Sequence, residues 1–225
     1  ISAVEDIESP ASVVKEMLEN SVDACATRID VSVEQGGSEL IRVSDDGCGI
    51  RALQLPLAMA SHATSKIGVA DDLFHVRSLG FRGEALASMA EVSQLLIRSR
   101  TADAEAGAEL EVVGGRPGQV RPCGCPVGTT LEVRQLFFNT PVRRKFLRTT
   151  QTEMGHTIES FTRIALACHD THLTLRHNDR VVYDVPAVDR WLDRITAFFG
   201  PELGDSLIWI ESRHDDIRLT GYVAE

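Results

Sequence analysis

The strongest constraint on the fold is an amphipathic helix near the start of the chain, followed at once by an alternating strand. Ser9 and Pro10 form a typical helix start, with Ser as the N-cap and Pro at the first helical position. We expect this helix to run to about Ala24. At 100° per residue it has one broad apolar face, made of Val14, Met17, Leu18, Ser21 and Val22.

The rest of the chain alternates between short strands and helices, which predicts an α/β fold. Alternation at Ile29, Val31 and Val33 predicts a strand that pairs as a hairpin with a second strand from Leu40 to Val43. Further strands are predicted at 92–99, 108–113, 129–136, 172–177, 180–185, 206–211 and 216–223, with helices from near 84 and at 191–199. Thr150 and Glu153 fit a capping box, with Thr150 as the cap of a helix that runs towards His169. Residues 61–83 have no clean periodicity and are predicted to form a long, functional loop.

The last two predicted strands follow a Gly200-Pro201 break and cannot bury a core by themselves. We therefore expect one domain over residues 1–190 and the truncated start of a second domain over residues 191–225. The chain has no initiator Met, so we also expect it to be a piece cut at its front.

Composition excludes several classes of protein. The chain has 225 residues, 43% of them hydrophobic, and no apolar run approaches the ~20 residues that a membrane-spanning helix needs. A formal net charge of −10 argues against a protein that coats nucleic acid, since phosphate binding depends on Lys and Arg. Five cysteines without framework spacing suit a reducing cytosol. Cys123 and Cys125 could form half a metal site, but two ordinary thiols are the favoured interpretation.

The polar side of the first helix has two interpretations. Glu16, Asn20 and Asp23 lie at i, i+4 and i+7 and therefore stack along one face. They could simply be solvated. Alternatively, Glu16 is a carboxylate base beside an Asn20 amide oxygen that can hold a hard cation.

Three glycine-containing segments are further candidates. Asp45, Gly47 and Gly49 follow the second strand, where an acid can accept a ligand N–H and glycines allow close approach, although an acidic turn has the same composition. The run Gly80-Phe81-Arg82-Gly83-Glu84 enters a helix, as anion-binding loops do, but it is not a Walker loop and could be a plain connector. Gly128-Thr129 opens a strand, where the hydroxyl could support a ligand or belong to ordinary β structure.

The main basic cluster contains Arg143, Arg144 and Lys145, with Arg148 close by. A nucleic-acid contact and a solvated helix face are about equally compatible with it.

Taken together and in order, these blocks resemble the N-terminal ATPase region of the MutL family of DNA mismatch repair proteins, most of all the bacterial ones. The blocks are Ile1-Ser2-Ala3; Glu16 with Asn20-Ser21 and Asp23-Ala24; Asp45 with Gly47 and Gly49; His62-Ala63-Thr64-Ser65-Lys66; Gly80-Phe81-Arg82-Gly83-Glu84-Ala85-Leu86; Gly128-Thr129; and Phe138-Asn139-Thr140-Pro141 followed by Arg143-Arg144-Lys145. The resemblance covers essentially the whole chain.

The resemblance implies the two-layer α/β sandwich of the gyrase, histidine kinase and MutL (GHKL) ATPases, with a mixed sheet, followed by the start of a ribosomal-protein-S5-like transducer domain. It implies ATP and Mg²⁺ as cofactors. Glu16 would be the general base, Asn20 the Mg²⁺ ligand and Asp45 the acid that binds the adenine amino group. The remaining nucleotide-binding residues would be Asp23, Gly47, Gly49, Thr64, Ser65, Lys66, Gly80, Phe81, Arg82, Gly83, Glu84 and Thr129.

The resemblance also implies partners and a cellular location. The partners are a second copy of the chain, bound in an ATP-dependent manner, a mismatch-recognition protein of the MutS type, a strand-incision nuclease and a helicase. Weak DNA contact would be made through Arg143, Arg144 and Lys145, and the location would be the bacterial cytoplasm. The family's usual residues are replaced at Val4, Asp6 and Ser9, and Asp46 replaces a common Asn. These changes leave an alternative open, a nucleotide-insensitive scaffold that binds DNA or repair partners.

Overall fold

The computed structural model describes residues 7–59, 85–215 and 217–224. The helices in these ranges are α1 (Pro10–Asp23), α2 (Leu55–Ala58), α3 (Ala85–Glu91), α4 (Pro141–Phe146), α5 (Thr150–Ala167), α6 (Trp191–Phe199) and α7 (Pro201–Ser206). The strands are β1 (Arg28–Glu34), β2 (Leu40–Asp45), β3 (Gln94–Arg100), β4 (Gly107–Val113), β5 (Arg116–Pro117), β6 (Arg121–Cys123), β7 (Gly128–Arg134), β8 (His172–His177), β9 (Arg180–Val185), β10 (Leu207–His214) and β11 (Ile217–Ala224).

A mixed sheet forms the body of the described fold. Its strands run in the order β5-β4-β3-β7-β2-β1-β8-β9, and β6 pairs with β4. Among the described strands of this sheet, β1 and β8 pair in parallel, whereas the other pairs are antiparallel. The mixed sheet expected from the sequence is therefore confirmed.

Helices α1 and α5 pack together on one face of this sheet and enclose the core. The core is apolar because α1 has one apolar face and the strands alternate in burial. Its fully buried side chains include Val14, Met17, Leu18, Ile29, Val31, Ile41, Leu95, Ile97, Val133, Phe161 and Leu173. This two-layer arrangement places the carboxyl end of α1 beside the end of β2.

The opposite face of the sheet has charged pairs across neighbouring strands. Glu132 on β7 is only 5% exposed and lies 3.1 Å from Arg42 Nε and 2.7 Å from Arg134 Nη2. Burial raises the pKa of Glu132, but the two guanidinium groups outweigh it and hold the pKa below its usual value.

The predicted elements are confirmed wherever the structure describes them, with four differences. Helix α2 lies in a stretch for which no element was predicted. The N-cap of α5 is Thr149, because its hydroxyl accepts the Thr152 N–H, whereas Thr150 was the expected cap. Glu153 instead accepts the backbone N–H of Arg148 at 2.8 Å. Helix α7 occupies part of the predicted Gly-Pro break, and β5 and β6 are too short to leave a periodic signal. The predicted loop at 61–83 lies outside the described residues.

The carboxyl end of the chain forms a hairpin of β10 and β11, which pair with each other in antiparallel register. Helix α6, which precedes α7 and this hairpin, is tied to the main sheet by Arg194, whose guanidinium donates to the carbonyls of Val185, His169 and Thr171. The domain boundary near residue 190 stays a prediction. None of the described helices combines the length and the apolar character needed to cross a membrane.

Candidate functional site

Asp45 connects three elements at the carboxyl end of β2. Its Oδ1 accepts the backbone N–H of Gly47 at 3.0 Å and that of Thr129 at 3.2 Å. Its Oδ2 accepts the hydroxyl of Ser21, on α1, at 2.9 Å. The carboxylate is therefore fixed in position by the loop after β2, by β7 and by α1.

The Asp45 carboxylate retains capacity for a ligand. A carboxylate offers about four acceptor positions, and the donors within the described ranges use three of them. Burial raises the pKa of Asp45, although the hydrogen bonds from Gly47, Ser21 and Thr129 act in the opposite direction. This half-buried acid is suited to accept one N–H donor from a ligand.

Three neighbouring strands place Asp45, Thr129 and Ser99 side by side. Thr129 pairs with Asp45 on one side and with Ser99 on the other. The buried Ser99 hydroxyl donates to the Gly128 carbonyl at 2.8 Å and accepts the Ile50 N–H at 2.7 Å. Since Ser99 has a single hydroxyl proton, the Thr129 hydroxyl donates to Ser99 at 2.9 Å and keeps its own acceptor positions for a ligand or water.

Glycines let the backbone approach closely around Asp45. A Cβ on Gly47 would lie 2.7 Å from the Ala24 carbonyl oxygen, at the end of α1. Gly49 has a φ of 72° and Gly128 a φ of 116°, and a side chain on either would overlap a neighbouring backbone carbonyl. The glycines predicted at 47, 49 and 128 therefore meet a steric requirement, which a plain acidic turn would not impose.

The polar face of α1 is partly buried. Glu16, Asn20 and Asp23 all have intermediate exposure, and the Glu16 side chain is 28% exposed. Lys15 Nζ lies 3.4 Å from the Glu16 carboxylate and 3.3 Å from that of Glu19. Partial burial lowers the pKa of Lys15, but the two carboxylates outweigh it and raise the pKa overall.

Three polar residues that shape this region were not predicted from the sequence. Ser21 was assigned to the apolar face of α1, where a buried hydroxyl among aliphatic side chains was a signal of a buried partner. Ser99 left no such signal, because its role depends on strand register. Glu19 lies close to Glu16, its side chain is 12% exposed, and burial raises its pKa in spite of Lys15.

Two substituted family positions have clear local roles. Ser9 is the N-cap of α1, and its hydroxyl accepts the Ser12 N–H at 3.3 Å while Ser12 Oγ accepts the Ser9 N–H at 3.1 Å. Asp46 accepts the backbone N–H groups of Thr27 and Arg28 at 2.7 and 2.8 Å. Val4 and Asp6 lie outside the described residues.

Several other predicted site residues also lie outside the described ranges. They are Thr64, Ser65, Lys66, Gly80, Phe81, Arg82, Gly83 and Glu84. In the described part of the chain, His, Cys, Asp and Glu side chains form no group of three that could hold a metal ion. Any metal there would need oxygen ligands from elsewhere.

The predicted basic cluster lies on α4, away from the contacts of Asp45. Arg144 and Lys145 are exposed, and Arg144 Nη2 lies 4.0 Å from Glu39. The Arg143 guanidinium lies 6.0 Å from the centre of the Phe137 ring. The structure therefore brings together Asp45, Gly47 and Thr129, and it places the basic cluster on a separate surface.

Comparison with known proteins agrees with this geometry. Residues 7–113 match the family model of the histidine kinase-, DNA gyrase B- and HSP90-like ATPases. The chain is 49% identical, over its full length, to the DNA mismatch repair protein MutL of Escherichia coli O1:K1 / APEC, and it spans 37% of that protein.

Solved structures give the same result. A MutL ATPase domain of Aquifex aeolicus complexed with ADP is 34% identical, with a TM-score of 0.72, over 92% of this chain and 73% of that one. The N-terminal domain of a DNA repair protein shares the fold, with a TM-score of 0.81 at 24% identity over 99% of this chain and 69% of that one. On these similarities, the chain belongs to the MutL family of DNA mismatch repair proteins, over the region of that family's ATPase domain.

Proposed function

We propose that this chain is the ATP-binding and slowly ATP-hydrolysing module of a MutL-type mismatch repair protein. The observation that carries the proposal is the position of Asp45, which is held by Ser21, Gly47 and Thr129 with an acceptor position to spare. The ADP bound to the similar Aquifex aeolicus ATPase domain supports an adenine nucleotide as the ligand.

Adenine recognition would depend on Asp45 and Thr129. The exocyclic amino group of adenine donates N–H, which the free acceptor position of Asp45 can take. The Thr129 hydroxyl already donates to Ser99, so it can accept a hydrogen bond from a water molecule or from a donor on the base. Gly47 and Gly49 would lie beside the purine, in a loop after β2 that packs closely against the backbone of Ala24 and Arg100.

The phosphates would be held by the segments that the resemblance identifies. Gly80, Phe81, Arg82, Gly83 and Glu84 would surround the phosphates, and Thr64, Ser65 and Lys66 would close over them as a lid. Magnesium fits the donor set, since it prefers oxygen and usually takes few protein ligands, with phosphate and water completing the shell. Asn20 would supply the protein oxygen and Asp23 would lie nearby. When bound, the ion would offset the charge of the phosphates.

Glu16 would act as the general base. A carboxylate in this position takes a proton from water while the water oxygen bonds to the γ-phosphorus, and the bond to the β,γ-bridging oxygen breaks to give ADP and phosphate. The half-buried setting of Glu16 supports this role, because partial exclusion of solvent strengthens its interaction with a positioned water. Positioning and charge stabilisation supply most of the catalysis in phosphoryl transfer.

In the whole protein, ATP binding would drive dimerisation of the N-terminal regions. This would couple a MutS-type mismatch-recognition protein to a strand-incision nuclease and a helicase in the bacterial cytoplasm. Residues 191–225 would begin the ribosomal-protein-S5-like transducer domain after an ATPase domain of residues 1–190.

DNA contact by this chain alone would be weak and would depend on Arg143, Arg144 and Lys145. Reversing the charge of Arg144 with Arg144→Glu should weaken it further, and unchanged DNA binding would make this cluster ordinary surface.

The hydrolytic role is tested with Glu16→Ala in the full-length protein. Turnover should fall to background, while the affinity for a non-hydrolysable ATP analogue stays within about twofold, because a base acts on water and not on the bound nucleotide. Glu159→Ala, which removes an exposed carboxylate paired with Arg163 on α5, is the matched control and should keep full turnover. Unchanged turnover in Glu16→Ala would reject the general-base assignment.

A further inference from the structure

Two cysteine thiols are in contact outside the nucleotide site. Cys123 and Cys125 belong to the run Pro122-Cys123-Gly124-Cys125-Pro126, which spans the end of β6 and the start of the loop before β7. Their sulfur atoms are 3.9 Å apart. Both are half-buried free thiols. Because a single residue separates them, their contact depends only on the local conformation of this short segment.

The local fold makes room for this thiol pair. Gly107 is the cross-strand neighbour of Cys123, and any side chain on it would overlap the sulfur of Cys125. A cavity of about 470 Å³ opens beside the pair and is lined by Arg100, Glu105 and Pro122 as well as by the two thiols. Both sulfurs are therefore accessible to a small reagent, and a cationic side chain lies at the same cavity.

The chemistry of the pair points to redox exchange and not to a structural metal site. Metal sites of the zinc type need about four ligands, and the described His, Cys, Asp and Glu side chains form no group of three that could hold a metal ion. A disulfide that closes so short a loop would constrain the unfolded chain very little, so it would add little stability. Disulfides that are strained or accessible are the easily reduced ones.

Burial raises the pKa of the Cys123 thiol, and its contact with the Cys125 thiol raises it further. Attack on a reagent would begin from whichever thiol of the pair ionises, because the thiolate is the nucleophile.

We propose that Cys123 and Cys125 are a redox modification site, at which the two thiols close reversibly into a disulfide by exchange with a small disulfide of the glutathione class. In the first step, one thiolate of the pair attacks one sulfur of the reagent, whose S–S bond breaks to release one small thiol. The other cysteine then loses its proton and attacks the protein sulfur of the mixed disulfide, which releases the second small thiol. Two protein thiols are oxidised, and one small disulfide is reduced to two thiols. The proposal is independent of the nucleotide function.

The test is an equilibrium in glutathione buffers of graded oxidised-to-reduced ratio, with acid quenching, alkylation of the remaining thiols and mass spectrometry. The chain tested carries Cys25→Ser, Cys48→Ser and Cys168→Ser, so that only the pair remains. It should lose two hydrogen atoms and accept no alkyl group in oxidising buffer, and a dithiol reductant should restore two alkylation sites. The matched control adds Cys125→Ser and should instead retain one glutathione on Cys123.

Peptide mapping of the unsubstituted chain in the same buffers keeps the test valid if the substituted chain does not fold. The peptide containing Cys123 and Cys125 should carry the internal disulfide there as well. Two alkyl groups on the pair across the whole range of buffers, or glutathione on both cysteines at once, would overturn the proposal.

Discussion

Ser21 on α1 donates a hydrogen bond of 2.9 Å to Asp45 Oδ2, across a sequence separation of 24 residues. The same hydroxyl lies 3.1 Å from the Met17 carbonyl, but it has one proton and the charged carboxylate is the stronger acceptor. This bond fixes the Asp45 carboxylate relative to the helix that bears Glu16 and Asn20. It links the two halves of the proposed site.

Removing this bond should weaken nucleotide binding. In Ser21→Ala, the Asp45 carboxylate loses one of its three fixed donors, and a hydrogen bond to a charged group contributes about 1.5–3 kcal/mol. We expect the affinity for a non-hydrolysable ATP analogue to fall by about tenfold or more, measured by isothermal titration calorimetry. Ser206→Ala, which removes a hydroxyl bonded only locally to Leu203, is the control. Equal affinities in the two variants would contradict the role of Ser21.

Gly128 and Gly155 should respond in opposite ways to the same substitution. Gly128 has a φ of 116°, and an added Cβ would overlap the Asp45 carbonyl, so Gly128→Ala should destabilise the fold by at least about 2 kcal/mol. Gly155 lies within α5 with nothing within 4 Å of an added Cβ, so Gly155→Ala should stabilise by about 0.5–1 kcal/mol. Urea denaturation measures both changes. A tolerated Gly128→Ala would show that the β2–β7 junction is not as close as the structure has it.

The buried Arg194 should be important for attaching α6. Its side chain is 1% exposed and donates to three backbone carbonyls, at 2.6, 2.8 and 3.1 Å. In Arg194→Met the three carbonyls lose their donor, which should cost about 3 kcal/mol of unfolding free energy. The control is Arg190→Met. Arg190 is exposed at the start of α6 and pairs with Asp193, so its loss should change the urea midpoint very little. A loss of stability in Arg190→Met equal to that in Arg194→Met would contradict this assignment.

Asp46 should make part of the stability dependent on pH. Partial burial raises its pKa, but the hydrogen bonds from Thr27 and from the Arg28 N–H outweigh it and leave the pKa below the usual 3.8. The stabilisation is therefore fully present above pH 3.8 and is lost as the pH falls through the lower pKa of the folded state.

The Asp46 effect is measured by comparing the wild-type chain with Asp46→Asn. The amide can still accept the two backbone N–H groups but does not titrate in this range. The difference in unfolding free energy between the two chains should shift in favour of Asp46→Asn as the pH falls below the usual carboxyl range. A difference that is constant with pH would contradict the lowered pKa.

Much of the fold and part of the site could be predicted from the sequence. The helix from Pro10 and the strands around Ile29 and Leu40 follow from local periodicity, because each buries one face. Asp45, Gly47 and Thr129 were identified from local composition and the family resemblance, and the structure brings them into contact. The contacts of Ser99 could not be predicted, since they require the register of β3 against β7, which depends on tertiary pairing. The N-cap of α5 is Thr149, whereas the sequence predicted Thr150, because the two threonines are chemically equivalent as caps.

The most direct test of the account is a titration of this chain with non-hydrolysable analogues of ATP and GTP in the presence of Mg²⁺. Adenine presents an amino donor where guanine presents a carbonyl acceptor, and the Asp45 carboxylate attracts the first and repels the second. We predict saturable binding of the ATP analogue, at least about tenfold tighter than that of the GTP analogue. The preference should be lost in Asp45→Ala. Absence of saturable binding, or equal affinity for the two analogues in the wild-type chain, would contradict the central claim.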